Sequence, residues 1–160
     1  MPNVSEEPSW LHGHAHDPNP SPPSQSADLL LELPNGAEHL LSAADLKRLP
    51  YTEVSDCYVV STGHGTSGPF RFGGVTLRDF VAAYSPAGAE WTTVDVISGD
   101  SFGNRIEAEE LDMITRPILL AYVIDGRPLT RGEGLVRLIV PSETDDALRQ
   151  VKWVAHIRLI

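Results

Sequence analysis

The fold is decided by a stretch in the C-terminal third, residues 118–129, which reads ILLAYVIDGRPL. Residues 118–124 carry no charge, and such an apolar run predicts a buried strand. The turn signal Asp125-Gly126 ends this strand. A second strand is predicted over residues 135–140, because Pro141 halts the apolar run. The C-terminal third is therefore expected to contribute neighbouring strands to a β-sheet.

Outward from this stretch, the sequence alternates between strand and helix patterns. Leu29–Leu33 is strand-like, and Ser42 and Asp45 resemble a capping box that opens a short helix. Thr76 and Asp79 resemble a second helix cap. Further strands are predicted at residues 52–62, 91–97, 102–106 and 150–160, with a short helix at 108–113. These elements predict an α+β domain built on a mixed or barrel-like sheet.

The strand predicted over residues 52–62 leads into a glycine-rich loop. Period-two alternation places Val54, Tyr58, Val60 and Thr62 on one face, and Ser55, Cys57, Val59 and Ser61 on the other. The loop Gly63–Gly68 follows. Because glycine admits tight turns, such a loop can bring backbone N–H groups close to an anion.

Residues 1–27 differ in composition from the rest of the chain and are expected to form a disordered tail. They hold six of the thirteen prolines, interleaved with Ser and Asn. Such a segment buries too little apolar surface to offset its ordering entropy. The alternating His12, His14 and His16 could hold a transition metal, but a structural site needs ligands fixed by the fold, and we interpret them as incidental. The single domain is expected to span residues 28–160.

Composition excludes several classes of function. Nothing approaches about 20 consecutive apolar residues, so no membrane span is predicted. The N-terminus has no secretory pattern, and the single cysteine, Cys57, excludes an internal disulfide, so a cytoplasmic protein is expected. The net charge is −10, and 19 acidic against 12 basic residues leave −7 on residues 28–160. This field disfavours nucleic acid and free dianions unless a local basic pocket overrides it.

Five segments, in family order and spacing, resemble the molybdopterin-binding domain of the sulfite-oxidase-like oxidoreductases. Residues 119–129 resemble its LAYxxNGxPL segment, and residues 149–157, RQVKWVAHI, resemble its RxVKWxxxI ending. The others are FGGVTLRD at 72–79, SGDSF at 98–102 and GLVRLIVP at 134–141. The resemblance covers about residues 28–160 and implies a molybdopterin cofactor carrying molybdenum.

The resemblance also implies which residues contact the cofactor. Arg149 and Lys152 would contact the pterin and its phosphate, although they could instead be a surface charge pair beside Trp153. Around the loop, the expected cofactor-binding residues are Ser61, Thr62, Gly63 and Gly65. His64 would be the catalytic residue, as a proton shuttle or hydrogen-bond donor, or else an ordinary loop histidine.

The metal ligand of the family is a cysteine thiolate at a strand end just before the loop. Counting back 13 residues from Gly74, the spacing of compact members, gives Ser61, and counting back 17 gives Cys57. The sequence therefore leaves two alternatives: Cys57 is the metal ligand, or it is a small buried apolar residue. A serine hydroxyl at the ligand position would be a poor substitute for a soft thiolate.

Two departures from the family bear on the substrate. Glu133-Gly134 stands where many members have His-Gly, which would add negative charge to the site, and the loop lacks the arginine pair of true sulfite oxidases. The sequence thus favours a molybdopterin-dependent oxidoreductase acting on a small neutral molecule or an oxide, with a redox partner protein, and not on sulfite. The alternative is a cofactor-free module that keeps the fold and binds a small molecule or protein. A hydrolase using Ser61 and His64 lacks a recognisable orienting acid.

Overall fold

The computed structural model describes residues 28–61, 65–85, 90–99, 102–113, 116–141 and 150–160. These form ten strands and three short helices. The strands are β1 (Leu29–Glu32), β2 (Glu38–Leu41), β3 (Thr52–Ser61), β4 (Gly65–Thr76), β5 (Thr93–Ser98), β6 (Gly103–Glu107), β7 (Leu119–Ile124), β8 (Arg127–Pro128), β9 (Arg137–Ile139) and β10 (Val154–Leu159). The helices are α1 (Ala43–Lys47), α2 (Leu77–Tyr84) and α3 (Glu110–Met113). The predicted tail, residues 1–27, lies outside the described residues.

The strands are arranged in two sheets. The first sheet has the order β2-β1-β10-β5-β6, and only the β1–β10 pair is parallel. The second sheet has the order β3-β4-β7-β8, with β9 pairing with β7, and it is antiparallel throughout. Within the described residues neither strand order returns to its start, so these are open sheets and not a closed barrel. The α+β prediction is confirmed, in its mixed-sheet form.

Within the described ranges, a large apolar cluster of 22 buried residues joins the two sheets and the helices. It contains side chains from β1, β5 and β10 of the first sheet, such as Leu31, Val96 and Ile157, and Leu120 and Leu138 of the second. Side-chain caps fix where the helices α1 and α2 begin. Before α1, Ser42 and Asp45 form the predicted capping box. The side chain of Thr76 accepts from the Asp79 N–H at 3.0 Å, as predicted.

A second, small cluster of eight buried residues covers the opposite face of the second sheet. Alternation along β7 distributes its residues, because Leu119 and Ala121 belong to the small cluster while Leu120 belongs to the large one. The remaining members are Val54, Cys57, Phe72, Ile124, Leu129 and Ile139. The second sheet is therefore buried on both faces, which is why residues 118–124 are apolar without interruption.

A bulge in β3 overturns the predicted alternation of that strand. Val54 pairs with Phe72 and Cys57 with Phe70, so three steps along β3 match two along β4. Asp56 absorbs the extra residue with a φ of 57°. Val54 and Cys57, which were predicted on opposite faces, consequently both enter the small cluster.

The pairing of β4 with β7 depends on a close approach of the two backbones. Gly73 pairs with Val123 and Gly74 with Ala121, so β7 has one extra residue here. A Cβ on Gly74 would lie 2.8 Å from the Ala121 Cα and closer still to the Leu120 carbonyl oxygen. The glycine in FGGVTLRD is thus required by backbone contact between the two central strands of the second sheet.

Candidate ligand-binding site

Three polar side chains lie together where β9 runs beside the start of the C-terminal segment. Leu138 and Val151 form an antiparallel bridge, with N–H to O distances of 2.8 and 3.2 Å, and both belong to the large cluster. Their neighbours Arg137, Gln150 and Lys152 therefore point to the other side of the second sheet, where the small cluster lies. We call these three residues the polar face.

Arg137 is a buried cation. Only 6% of the residue is exposed, and its Nε has no hydrogen-bond partner. Its Nη1 is 3.4 Å from the Glu133 carbonyl oxygen, and its Cζ lies 5.9 Å from the centroid of the Phe72 ring. Burial lowers the pKa of Arg137 to about 10, so the guanidinium stays charged at neutral pH. Among the described residues no carboxylate pairs with it, which suits the arrangement to an anionic ligand.

Gln150 and Lys152 complete the polar face. Gln150 Nε2 donates to the Tyr58 carbonyl oxygen at 3.0 Å, while its Oε1 is buried without a hydrogen-bond partner. Lys152 is half-buried, and its Nζ lies 5.5 Å from the centroid of the Trp153 ring. The polar face thus combines two cations with an unmatched buried acceptor, a donor and acceptor set for a polar anion.

The loop before β9 brings Arg137 and Lys152 close together. Gly134 has a φ of 112°, and a Cβ there would lie 3.0 Å from Arg137 Cγ and 3.2 Å from Lys152 Cβ. The loop is fixed to the C-terminal segment because the Trp153 backbone N–H donates to the Gly134 carbonyl at 3.0 Å. The Trp153 indole N–H also donates to the Arg131 carbonyl at 2.6 Å. The absence of a side chain at Gly134 thus lets the stems of Arg137 and Lys152 pack against this loop.

The acid expected to disturb the site is neutralised outside it. The Glu133 carboxylate accepts from both terminal nitrogens of Arg127, at 2.6 and 2.7 Å, and from the Thr130 N–H at 3.0 Å. Arg127 holds the pKa of Glu133 well below its usual range, at about 2. Only the carbonyl of Glu133 accepts a hydrogen bond from Arg137, although the nearby carboxylate charge also raises the pKa of Arg137. The carboxylate itself is paired with Arg127.

Cys57 lies inside the small cluster with no exposed surface. Its Sγ is 3.5 Å from the Val54 carbonyl and 3.6 Å from the Ser55 carbonyl. Arg116 Nη2 lies 3.7 Å from Sγ and also donates to the carbonyls of Ser55 and Asp56. Burial raises the pKa of the thiol, and Arg116 only partly opposes this. Burial in the apolar cluster thus favours the uncharged thiol over the thiolate.

The glycine-rich segment is mostly strand. Gly65 begins β4 and pairs with Ser61, the last residue of β3, so the predicted loop Gly63–Gly68 is wrong from Gly65 onward. The pairing with β3 overrides the local glycine signal. Gly68, with a φ of 132°, is required because a Cβ there would lie 2.8 Å from the Cys57 carbonyl oxygen. Thr62, Gly63, His64 and Arg149 lie outside the described residues, so their expected roles stay predictions.

Of the predicted site residues, the structure places Lys152 on the polar face and Cys57 in the apolar cluster. Arg137 and Gln150 were not singled out from the sequence. One signal was available for Arg137, because it is the only charge in the apolar run GLVRLIVP, and a charge within a buried strand requires a partner or a ligand. Gln150 offered no such signal, since its burial depends on the bridge between Leu138 and Val151.

The polar face lies on a two-sheet α+β domain, and comparison with known protein families shows the family of this domain. The family model described as the oxidoreductase molybdopterin binding domain matches residues 28–160. The chain belongs to this family, and the resemblance to sulfite-oxidase-like proteins is confirmed. No match is found among curated proteins.

A solved structure supports the fold. The domain is similar to the sulfane dehydrogenase SoxCD from Paracoccus pantotrophus, with a TM-score of 0.66 and 20% sequence identity. The match covers 82% of this chain and 37% of that chain, so this chain spans well under half of its relative. At this identity the likeness concerns the fold.

No helix among the described residues is long and apolar enough to cross a membrane. No three His, Cys, Asp or Glu side chains in the described parts of the chain converge as ligands for a metal ion.

Proposed function

We propose that this domain binds a phosphate-bearing pterin of the molybdopterin class on its polar face. The observation that carries the proposal is Arg137, a buried guanidinium without a carboxylate partner among the described residues. A cation that is buried without a partner destabilises the fold by about 3–5 kcal/mol. A bound phosphate would remove this cost. Family membership supplies the class of ligand.

Each residue of the polar face has a role in this proposal. Arg137 and Lys152 form charge-assisted hydrogen bonds to the phosphate, and Gln150 Oε1 accepts from an N–H of the pterin. Residues 28–160 carry a net charge of −7, so these two cations provide the local basic pocket that an anion needs in this field. Arg149 is proposed as a further phosphate contact, as the family resemblance implies.

Redox catalysis is the second candidate, and the family match favours it. Molybdopterin, when it carries molybdenum, supplies oxo transfer or electron transfer. In that case the substrate would be a small neutral molecule or an oxide, a redox partner protein would exchange the electrons, and His64 would move a proton. For this candidate function we propose a cytoplasmic location.

The test is the pterin content of the purified full chain, expressed in cells that make molybdopterin. Bound pterin is oxidised to its fluorescent form and quantified per protein. We compare the wild type with Arg137→Met and with Arg48→Met, a control that removes the same charge at an exposed position just after α1. Loss of a charged hydrogen bond worth about 2 kcal/mol predicts about a 30-fold loss of affinity in Arg137→Met only.

Near-stoichiometric pterin in the wild type and in Arg48→Met, with a clear loss in Arg137→Met, would support the proposal. Two outcomes would refute it: a wild type without pterin, or an Arg137→Met variant that retains as much pterin as the wild type.

A further inference from the structure

We infer that Cys57 is not a metal ligand in this chain, and that the domain holds a phosphate-bearing pterin by charge and hydrogen bonds alone. The identity of the ligand rests on the proposed function, whereas the statement about Cys57 rests on the fold. In this respect the chain departs from the family expectation of a thiolate–metal bond.

The first argument is the surroundings of the sulfur. Cys57 packs with Val54, Phe72, Leu119 and Ile139 in the small cluster and has no exposed surface. A metal bonded to sulfur sits about 2.3 Å from it, the distance of a zinc–thiolate bond. An ion there would have to displace these apolar side chains. The polar groups near the sulfur include the Arg116 guanidinium at 3.7 Å, a cation that repels a metal ion.

The second argument is the bonding of the sulfur itself. The Cys57 S–H lies within hydrogen-bonding reach of the Val54 and Ser55 carbonyls, at 3.5 and 3.6 Å. Carbonyl oxygens are acceptors, so they stabilise the protonated thiol and oppose the thiolate. Arg116 and a backbone hydrogen bond from Phe72 act in the opposite sense, but the Arg116 guanidinium also donates to the carbonyls of Ser55, Asp56 and Pro141. Arg116 therefore fixes the bulge around Cys57 more than it activates the sulfur.

The third argument is the position of Cys57 along the strand. It lies between two register shifts of β3 against β4, four residues before the strand ends at Ser61. The bulge at Asp56 turns Cys57 inward, and Gly68 packs against its carbonyl. At the strand end, where the shorter of the two family spacings places the ligand, the sequence has Ser61, and a hydroxyl is a poor ligand for a soft metal site.

The first test measures the accessibility of the thiol in the full chain without added ligand. The rate of Cys57 alkylation by iodoacetamide is compared between native protein and protein unfolded in urea at the same pH. A thiol that reacts only through opening of the core is expected to react at least about 100-fold more slowly in the native chain. A native rate within about tenfold of the unfolded rate would overturn the inference.

The second test uses the protein loaded in cells that make molybdopterin, with pterin and molybdenum measured in the wild type and in Cys57→Ala. We expect the same pterin-to-protein ratio in both, and an X-ray absorption spectrum of any bound molybdenum that is unchanged by the substitution. Loss of pterin from folded Cys57→Ala, or loss of one sulfur scatterer, would show that Cys57 is a ligand. If the wild type holds no pterin, the proposed function fails, and the alkylation rate still decides whether Cys57 is available to a metal.

Discussion

Two adjacent glycines, Gly73 and Gly74, should respond very differently to the same substitution. A Cβ on Gly74 would lie 2.8 Å from the Ala121 Cα and 3.0 Å from the Leu120 carbonyl carbon, and these backbone atoms belong to the central strand β7. A Cβ on Gly73 would instead meet the ring of Tyr51, with Cζ at 2.6 Å. Tyr51 is 49% exposed and can rotate away, whereas β7 cannot move without opening both clusters.

The expected loss of folding stability for each variant follows from what its new Cβ would contact. Overpacking against rigid surroundings costs about 1–3 kcal/mol and sometimes more, so Gly74→Ala should cost about 3 kcal/mol. Gly73→Ala should lie within about 1 kcal/mol of the wild type, because the lost Tyr51 contact is offset by the lower entropy of the unfolded chain. With a urea m-value of about 2 kcal/mol/M, Gly74→Ala lowers the unfolding midpoint by about 1.5 M.

The assay is urea unfolding of both variants, followed by tryptophan fluorescence and by circular dichroism. Coincident transitions from the two probes would justify a two-state analysis. Equal midpoints for Gly73→Ala and Gly74→Ala would refute the reasoning, since they would show that β4 and β7 can separate at no greater cost than the rotation of one side chain.

Three further predictions concern Arg137, Glu133 and Ser42. Without ligand, Arg137→Met should be as stable as the wild type or more stable by about 1–3 kcal/mol in urea unfolding, because an apolar side chain replaces a buried unpaired charge; a clear loss of stability would reveal a structural partner. The pKa of Glu133 is lowered from 4.5 to about 2, so its ion pair stabilises the fold above pH 4.5, and this contribution is lost as the pH falls toward 2. After discounting for solvent screening, the free energy of unfolding of the wild type should exceed that of Glu133→Gln by about 1 kcal/mol at pH 6 and equal it near pH 2. Thermal unfolding at a series of pH values measures this difference, and a difference that does not change with pH would contradict the ion pair as its origin. Ser42→Ala should cost about 1 kcal/mol through loss of the capping box, with Ser85→Ala, beyond the end of α2, as the control that stays near wild type.

Features that depend on a few neighbouring residues could be predicted from the sequence. The caps at Ser42 and Thr76 are local hydrogen bonds between residues three apart, so their residue types suffice to place them. The turn at Asp125-Gly126 is equally local, and both residues adopt positive φ, at 47° and 84°. The approximate positions of the strands followed from their apolar patterns for the same reason.

Features that depend on pairing between distant segments could not be predicted from the sequence. The bulge at Asp56 has no glycine or proline to signal it, and it arises from the register between β3 and β4. The glycines from Gly65 onward resemble a loop until their pairing with β3 is known. The polar face requires the bridge between Leu138 and Val151, which lie 13 residues apart and are joined by a segment outside the described residues.

The separation of the two apolar clusters bears on how such a domain diverges over evolution. The 22 residues of the large cluster hold the described sheets and helices together, whereas the side chains of the polar face point to the side of the second sheet where the eight residues of the small cluster lie. Mutations that alter ligand chemistry therefore act on a part of the molecule that contributes the lesser share of its burial, and selection can change them without first strengthening the rest. The architecture itself is shared at 20% identity with a sulfane dehydrogenase, so this fold persists while most of the side chains that it carries differ.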